Sequence, residues 1–365
     1  VTFNECSFNS NGKSFEGKAA VEIDSSLLSD GKHVVRINNC EINGFAAGSV
    51  SNNNLYNTKK GKQADIFVDG IQVWAAGYDK LANYPNIFTK DGNYYVFSVA
   101  GLQDLNNYFK ANSIANILWN REYNIAADID ATGFAWDGVR VVVGNNGNNG
   151  IVLNGNNHTI SNLTINNGAL LSGTPCGSNE GVNSGLVKDI TMKNVVVNGT
   201  THDASVFWGE CYTNVNFENV TVDDAKINGG SNVGALVSRT VIDTPNKSIK
   251  VNFKDCVVKN STLEANSTVA DPTGASGFIG RAYGNTKLTF ENCSIENNTL
   301  TNAEGLYGGA VYGYGIYAND GWAGLGACDT FTNWNGIVFA ATIKGERCTL
   351  AEAVAKAEAA RAAAD

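Results

Sequence analysis

The chain has 365 residues, 43 % of them aliphatic, aromatic or cysteine, so it can bury a sizeable core as two or three domains or one long repeat array. A formal net charge of −9 argues against a nucleic-acid partner, which would need clustered Lys and Arg. No apolar run reaches the roughly 18 residues of a spanning helix, so membrane insertion is not expected. The 40 glycines and abundant asparagine point to many tight turns, because both tolerate left-handed backbone.

Val1 already stands inside a strand-like string, VTFNECSF, so a mature product or an excised piece that starts mid-fold is expected. Residues 1–78 hold VTFNECSF, AAVEIDSS, HVVRINNCEING and ADIFVDGIQVWA, read as the closing coils of one β-helix. Residues 79–138 break this pattern and form a linking and capping segment. There Tyr94-Tyr-Val-Phe97 predicts a short strand, and Ser98 caps a helix with Leu102, Leu105 and Phe109 on one face.

The region 139–345 reads as a second β-helix. Its evidence is a repeated string. Phe3-Asn-Glu-Cys6-Ser-Phe8, Ile37-Asn-Asn-Cys40-Glu-Ile42, Met192-Lys-Asn-Val195-Val-Val197, Phe217-Glu-Asn-Val220-Thr-Val222, Phe253-Lys-Asp-Cys256-Val-Val258 and Phe290-Glu-Asn-Cys293-Ser-Ile295 align by eye. The last four start roughly 25–37 residues apart, the spacing of a solenoid. Valine replaces cysteine at the fourth place, which a metal ligand or disulfide partner would not allow but a small buried apolar residue does. Cys6, Cys40, Val195, Val220, Cys256 and Cys293 are therefore expected as stacked core groups in one structural ladder. Cys176, Cys211, Cys328 and Cys348 lie off the pattern, and a disulfide among them stays open. Asn at the bends is expected to hydrogen-bond to neighbouring coils, satisfying turn backbone that would be costly to bury alone.

Thr349-Leu-Ala-Glu352 is a capping box opening the alanine-rich helix of the last segment, 346–365. That helix reads either as the cap of a further module or as a C-terminal tail.

These strings resemble right-handed parallel β-helix proteins of the pectin-lyase-like class, especially modular surface proteins of gut bacteria or their phages. Ile151-Val-Leu-Asn-Gly-Asn-Asn-His-Thr-Ile-Ser-Asn-Leu-Thr-Ile165 is similar to an entry coil of that class, and Val233–Val237, Ala275–Ile279 and Tyr307–Val311 to its glycine-rich second face. The resemblance implies an all-β, right-handed parallel β-helix solenoid with short capping helices. Polysaccharide hydrolases of this kind resemble one another in Asn-Thr-Asp, paired Asp, Gly-His-Gly and Arg-Ile-Lys motifs. Here His33, His158 and His202 have no flanking glycine pair, Arg36-Ile37-Asn38 lacks the lysine, and Asp223-Asp224 stands alone as a solvated turn. Lyase chemistry needs a base beside calcium-binding carboxylates; Asp128, Asp130 and Arg140 are candidates only as charged loop positions. No catalytic residue, metal or cofactor is expected.

Aromatic residues offer the better site. Trp208, Tyr212, Tyr312, Tyr314, Tyr317, Trp322 and Trp334 concentrate in Gly-, Asn- and Asp-rich stretches, where planar rings beside amides suit sugar rings. The same rings serve equally as outer coil packing. The functional expectation is a non-enzymatic extracellular or cell-surface adhesin-type protein presenting a long face to a glycan or host partner. A bacteriophage fibre, spike or capsid-decoration protein on the virion, associating as a homo-trimer, is the first alternative. A lyase or glycoside hydrolase with an atypical site is the second.

Overall fold

The computed structural model describes residues 1–11, 21, 33–43, 64–113, 118, 121–142, 150–174, 184–241, 248–266, 274–282 and 286–303; backbone alone is described at 142, 174, 302, 312–314, 327–332, 339–343 and 346–349. It is mostly β, with one helix among the described residues, and its parallel sheets stack as a β-solenoid of about 6 turns. Two compact units divide it, Val1–Asp104 and Leu105–Asp365.

In the first unit, strand Thr2–Asn4 pairs in parallel with His33–Asn38, which pairs with Ala64–Val68, while Ser7–Asn9 pairs with Glu41–Asn43. Phe3 lies opposite Ile37 and Phe8 opposite Ile42, the register that the repeated string demands. Glu5 (φ 51) and Asn39 (φ 50) sit left-handed between the paired strands. One such residue turns the chain without a loop, and a short polar side chain tolerates it best.

The string ADIFVDGIQVWA differs from its reading as a coil. Ala64–Val68 joins the parallel ladder, but Ile71–Trp74 folds back antiparallel, with Val68 opposite Ile71. Asp69 (φ 48) and Gly70 (φ 81) supply two positive-φ positions, the hairpin geometry that Asp-Gly favours. A second Asp-Gly, Asp91 (φ 50) and Gly92 (φ 80), joins Tyr84–Lys90 to Asn93–Val96 in an antiparallel meander that also includes Asp79–Leu81. AAVEIDSS, apart from Val21, lies outside the described residues.

Helix Val99–Asn112 begins where Ser98 Oγ accepts the Gly101 amide at 3.3 Å. Leu102, Leu105, Tyr108 and Phe109 are buried along one stripe. Within the second unit, the ring of Phe109 meets Tyr123 at 4.7 Å and Trp136 at 5.9 Å, and Lys110 Nζ reaches Asp137 Oδ2 at 2.7 Å. The helix thus packs on the first coil of the stack, shielding ring and strand surface that would otherwise be open.

The second unit carries the coils. Strands Arg121–Ile125, Ile151–Ser161, Ser184–Lys193, Asn214–Asp223, Ile249–Lys254, Thr286–Glu291 and Ala327–Thr332 follow one another in one sheet, all parallel. Val187, Phe217, Phe253 and Phe290 occupy one register row. The rings of Phe217 and Phe253 stack at 5.1 Å and 12°, those of Phe253 and Phe290 at 4.9 Å and 11°.

The register corrects one alignment. Met192 lies opposite Val222, not Phe217; the counterpart of Phe217-Glu-Asn-Val220 is Val187-Lys-Asp-Ile190. Each coil contains the bend twice. The first bend places Asp189, Asn219, Asp255 and Asn292 at φ 52 to 54, and the second places Asn162, Asn194, Asp224, Asn260 and Asn297 at φ 50 to 58. Val195 therefore belongs to the row after the second bend, with Ala225 and Ser261, and not to the row of Val220, Cys256 and Cys293. Both bends need apolar-in, left-handed polar, small-in, so one string serves both and phase is invisible to alignment.

Amides tie the bends from coil to coil, as their repetition suggests. Asn219 Nδ2 donates to Asp189 Oδ1 at 2.9 Å and Asn292 Nδ2 to Asp255 Oδ1 at 3.0 Å on the first bend. On the second, Asn194 donates to Asn162 at 2.6 Å, and Asn162 to Asp130 at 2.8 Å. Strand Phe339–Ile343 pairs antiparallel with Glu346–Thr349; the expected helix beyond Thr349 lies outside the described residues.

Candidate functional site

The thiols occupy the places where the chain leaves a left-handed bend. Cys256 and Cys293 are buried, Cys6 and Cys40 half-buried, and all four are free. Each sulfur lies 3.2–3.3 Å from the carbonyl two residues earlier, Cys256 on Lys254 and Cys293 on Glu291, with Cys6 on Asn4 and Cys40 on Asn38. Ser261 makes the same contact to Lys259 at 2.8 Å. Burial pushes the Cys256 thiol above its ordinary range, which suits a group packed in the core. Cys211, off the pattern, is also a free buried thiol, raised by burial to about 12. The side chains of Cys176, Cys328 and Cys348 lie outside the described residues.

The nominated aromatic surface needs correction at two positions. Trp208 is only 1 % exposed: its ring packs on Gly185, where a Cβ would sit 3.2 Å from Cζ3, and Nε1 donates to the Glu210 carbonyl at 3.1 Å. Tyr212 is 4 % exposed. Gly185 lets the coil wall close over the Trp208 ring, and both rings are too deeply buried to offer a face to a ligand. Tyr312 and Tyr314 lie on a strand paired with Ile279–Ala282, with their backbone alone described; Tyr317, Trp322 and Trp334 lie outside the described residues.

Beside Trp208 lies an ionic cluster that no motif announced. Glu210, Arg239 and Arg281 share one register row on consecutive coils. Arg239 pairs with both acids: Nε lies 3.1 Å from Asp203 Oδ1, and Nη2 bonds Glu210 Oε1. Arg140 Nη2 reaches the other Glu210 oxygen at 2.6 Å. Asp203 also accepts from Ser238 Oγ at 2.9 Å and Asn232 Nδ2 at 3.2 Å. Burial raises the Asp203 carboxyl above its ordinary value, against the opposing pull of Arg239 and Ser238. A carboxyl with a raised pKa near a second acid is a glycosidase-like pairing. Here, however, one guanidinium spans both acids, and the chemistry this favours is cross-linking of coils. Only the register could reveal the cluster, since Arg140, Asp203, Glu210, Arg239 and Arg281 come from five separate strands.

The candidate lyase residues are not brought together. Asp128 accepts the Thr159 amide at 2.8 Å and lies 3.3 Å from His158 Nδ1; the Thr159 bond above all holds its carboxyl below the ordinary range. His158 thus pairs with the neighbouring coil. Asp130 is held low by Asn162 and Thr132, and Arg140 belongs to the ionic cluster. Asp224 turns the second bend, while Asp223 accepts Asn260 Nδ2 at 2.8 Å. Among the described residues no group of three or more His, Cys, Asp or Glu is placed to hold a metal ion.

The aromatic assembly that remains is in the first unit, where the sequence predicts closing coils up to residue 78 and a linking segment beyond it. Trp74, Phe88, Phe97, Tyr78 and Tyr95 form a chain of edge-to-face contacts at 4.8–6.0 Å and 77–86°. Trp74, Phe88 and Phe97 are buried, while Tyr78 and Tyr95 are half-buried at its rim. Lys80 Nζ sits 5.1 Å from the Trp74 ring and 5.2 Å from Phe88, and Lys90 Nζ 5.1 Å from Tyr78. Burial pushes Lys80 down to about 8, with Asp104 opposing. Antiparallel pairing brings these residues together: Lys80, Phe88 and Tyr95 stand side by side on three strands.

No family model, no curated protein and no solved structure matches the chain.

Proposed function

We propose that this chain is a non-enzymatic β-helix binding protein of the cell surface or extracellular space, presenting an outer face to a glycan or host partner. The observation that supports this most is the regular polar exterior of the coils. Asn216, Asn252 and Thr289 point outward in one row, with Asn252 Nδ2 donating to Asn216 Oδ1 at 2.8 Å and Thr289 Oγ1 bonding Asn252 Oδ1. Beside it runs a row of alternating charge, Lys188, Glu218, Lys254 and Glu291. Repeating amides and hydroxyls at the strand spacing of about 4.8 Å suit a repeating, hydroxyl-rich partner, and their mutual bonds fix them before binding.

The test is a glycan array on the purified chain, run beside reducing-sugar and unsaturated-product assays. Glycan binding without product supports the reading. Product formation replaces it with an enzyme, centred on Asp203 and Glu210. The continuous phenylalanine stack and amide ladders favour a second reading as a rigid rod, the architecture of a fibre, spike or capsid-decoration protein on a virion. A homo-trimer in sedimentation together with a silent array supports that alternative.

A further inference from the structure

The five-ring cluster of the first unit has a sorted composition. Rings without hydroxyls lie inside it, and the two tyrosines form its rim. Tyr78 and Tyr95 meet at 4.8 Å and 84°, so their planes make a corner. A sugar fits such a corner because its C–H face packs on a ring while its hydroxyls reach polar groups at the edges. Donors and acceptors stand there: Lys90 lies over the Tyr78 ring, and Asp91 follows it at the hairpin turn.

The charges choose among sugars. Burial above all, then the fields of Asp65 and Asp91, raise the Tyr78 hydroxyl above its ordinary value, so both carboxylates act at the rim. Asp79 and Asp104 add to the acids of this unit, against Lys80 and Lys90 as its nearby cations. A carboxylated or sulfated sugar would meet repulsion. The platform is also held in place beforehand, since Tyr95 pairs with Phe88 across the Asp91-Gly92 hairpin and Tyr78 closes a turn on the Ala75 carbonyl at 3.2 Å. Little ordering cost then remains for binding.

We infer that the Tyr78–Tyr95 rim, with Lys90 and Asp91 beside it, is a binding site for a neutral saccharide; this rests on the glycan-binding reading above and gives it a location. A single small platform of this kind corresponds to a dissociation constant of about 0.1–10 mM.

The experiment titrates the full chain with cellotetraose and maltotetraose, and with trigalacturonate as the acidic comparison, by calorimetry or NMR. A neutral oligosaccharide should bind, trigalacturonate should bind at least about 10-fold more weakly, and Tyr78→Ala and Tyr95→Ala should each weaken binding about 10-fold or more. Should either alanine variant fail to fold, protection of wild-type Lys90 from reductive methylation by saturating neutral sugar tests the same contact, and Lys90 labelled equally fast with and without sugar overturns the site. Neutral binding unchanged in folded alanine variants overturns this site while leaving the glycan-binding reading standing. Equal or tighter binding of trigalacturonate overturns the neutral selectivity. No binding of either neutral sugar overturns the inference, and only a silent glycan array as well removes the broader reading.

Discussion

Replacing Phe253 with alanine removes the middle ring of the core stack. That ring lies between Phe217 at 5.1 Å and Phe290 at 4.9 Å, with Phe278 against its edge at 5.2 Å, and it is 1 % exposed. Truncating a buried phenylalanine costs about 3–5 kcal/mol through lost transfer energy and the cavity left behind. Ring pairs add roughly 0.5–1.5 kcal/mol each beyond area, and Phe253 makes three, so the loss should fall at the upper end, about 5 kcal/mol. Against a typical total of about 5–15 kcal/mol this is a large fraction, and Phe253→Asp, which adds an unpaired buried charge, should abolish folding. The assay is urea denaturation followed in parallel by circular dichroism and by fluorescence of buried Trp208, because coil arrays need not unfold in two states. A double-mutant cycle with Phe217 should show coupling of about 0.5–1.5 kcal/mol, while a cycle with Phe109 should be additive. A loss under about 2 kcal/mol for the alanine variant, or no coupling to Phe217, would refute the stacked core.

Cys256→Val should change stability by less than about 1.5 kcal/mol, since Val220 fills the equivalent place one coil earlier; a larger loss in the same urea assay would assign the thiol a role beyond packing. Asn219→Val should cost about 2 kcal/mol or more, through a β-branched residue at φ 54 and loss of the bond to Asp189, whereas Asn219→Gly should cost less; equal melting of the two would contradict the left-handed bend. Lys80 has a folded pKa of about 8 below the ordinary 10.5, so its burial as a cation opposes folding below about pH 8 and that penalty is relieved as pH rises toward 10.5. Lys80→Met should therefore stabilise the protein by roughly 1–2 kcal/mol at neutral pH, after deducting the attraction of the Trp74 and Phe88 rings, with the gain vanishing at high pH. Thermal melts across that range, showing instead a gain that grows with pH, would reverse the argument.

The strings of Phe217, Phe253 and Phe290 made the stack legible because their spacing matches one coil and the inward places accept one kind of group. Left-handed bends were legible for a similar reason: asparagine and aspartate tolerate positive φ and announce it locally. The two Asp-Gly hairpins carried an equally local signal, yet Asp69-Gly70 was absorbed into a coil because ADIFV fits the parallel pattern up to the turn.

Composition and repetition by themselves determined that this chain stacks short strands around apolar rows and joins them by amide-bearing bends, since those demands act within a few residues of the chain. Which bend faces which, whether a tryptophan lies outside a coil or beneath its neighbour, and which acids meet which arginines were decided only by tertiary structure. The physical reason is that burial and ion pairing depend on register between coils about thirty residues apart. Trp208 and Tyr212 read as exposed rings but are buried, and the Tyr78–Tyr95 corner exists only because the antiparallel meander brings Tyr95 beside the turn that carries Tyr78.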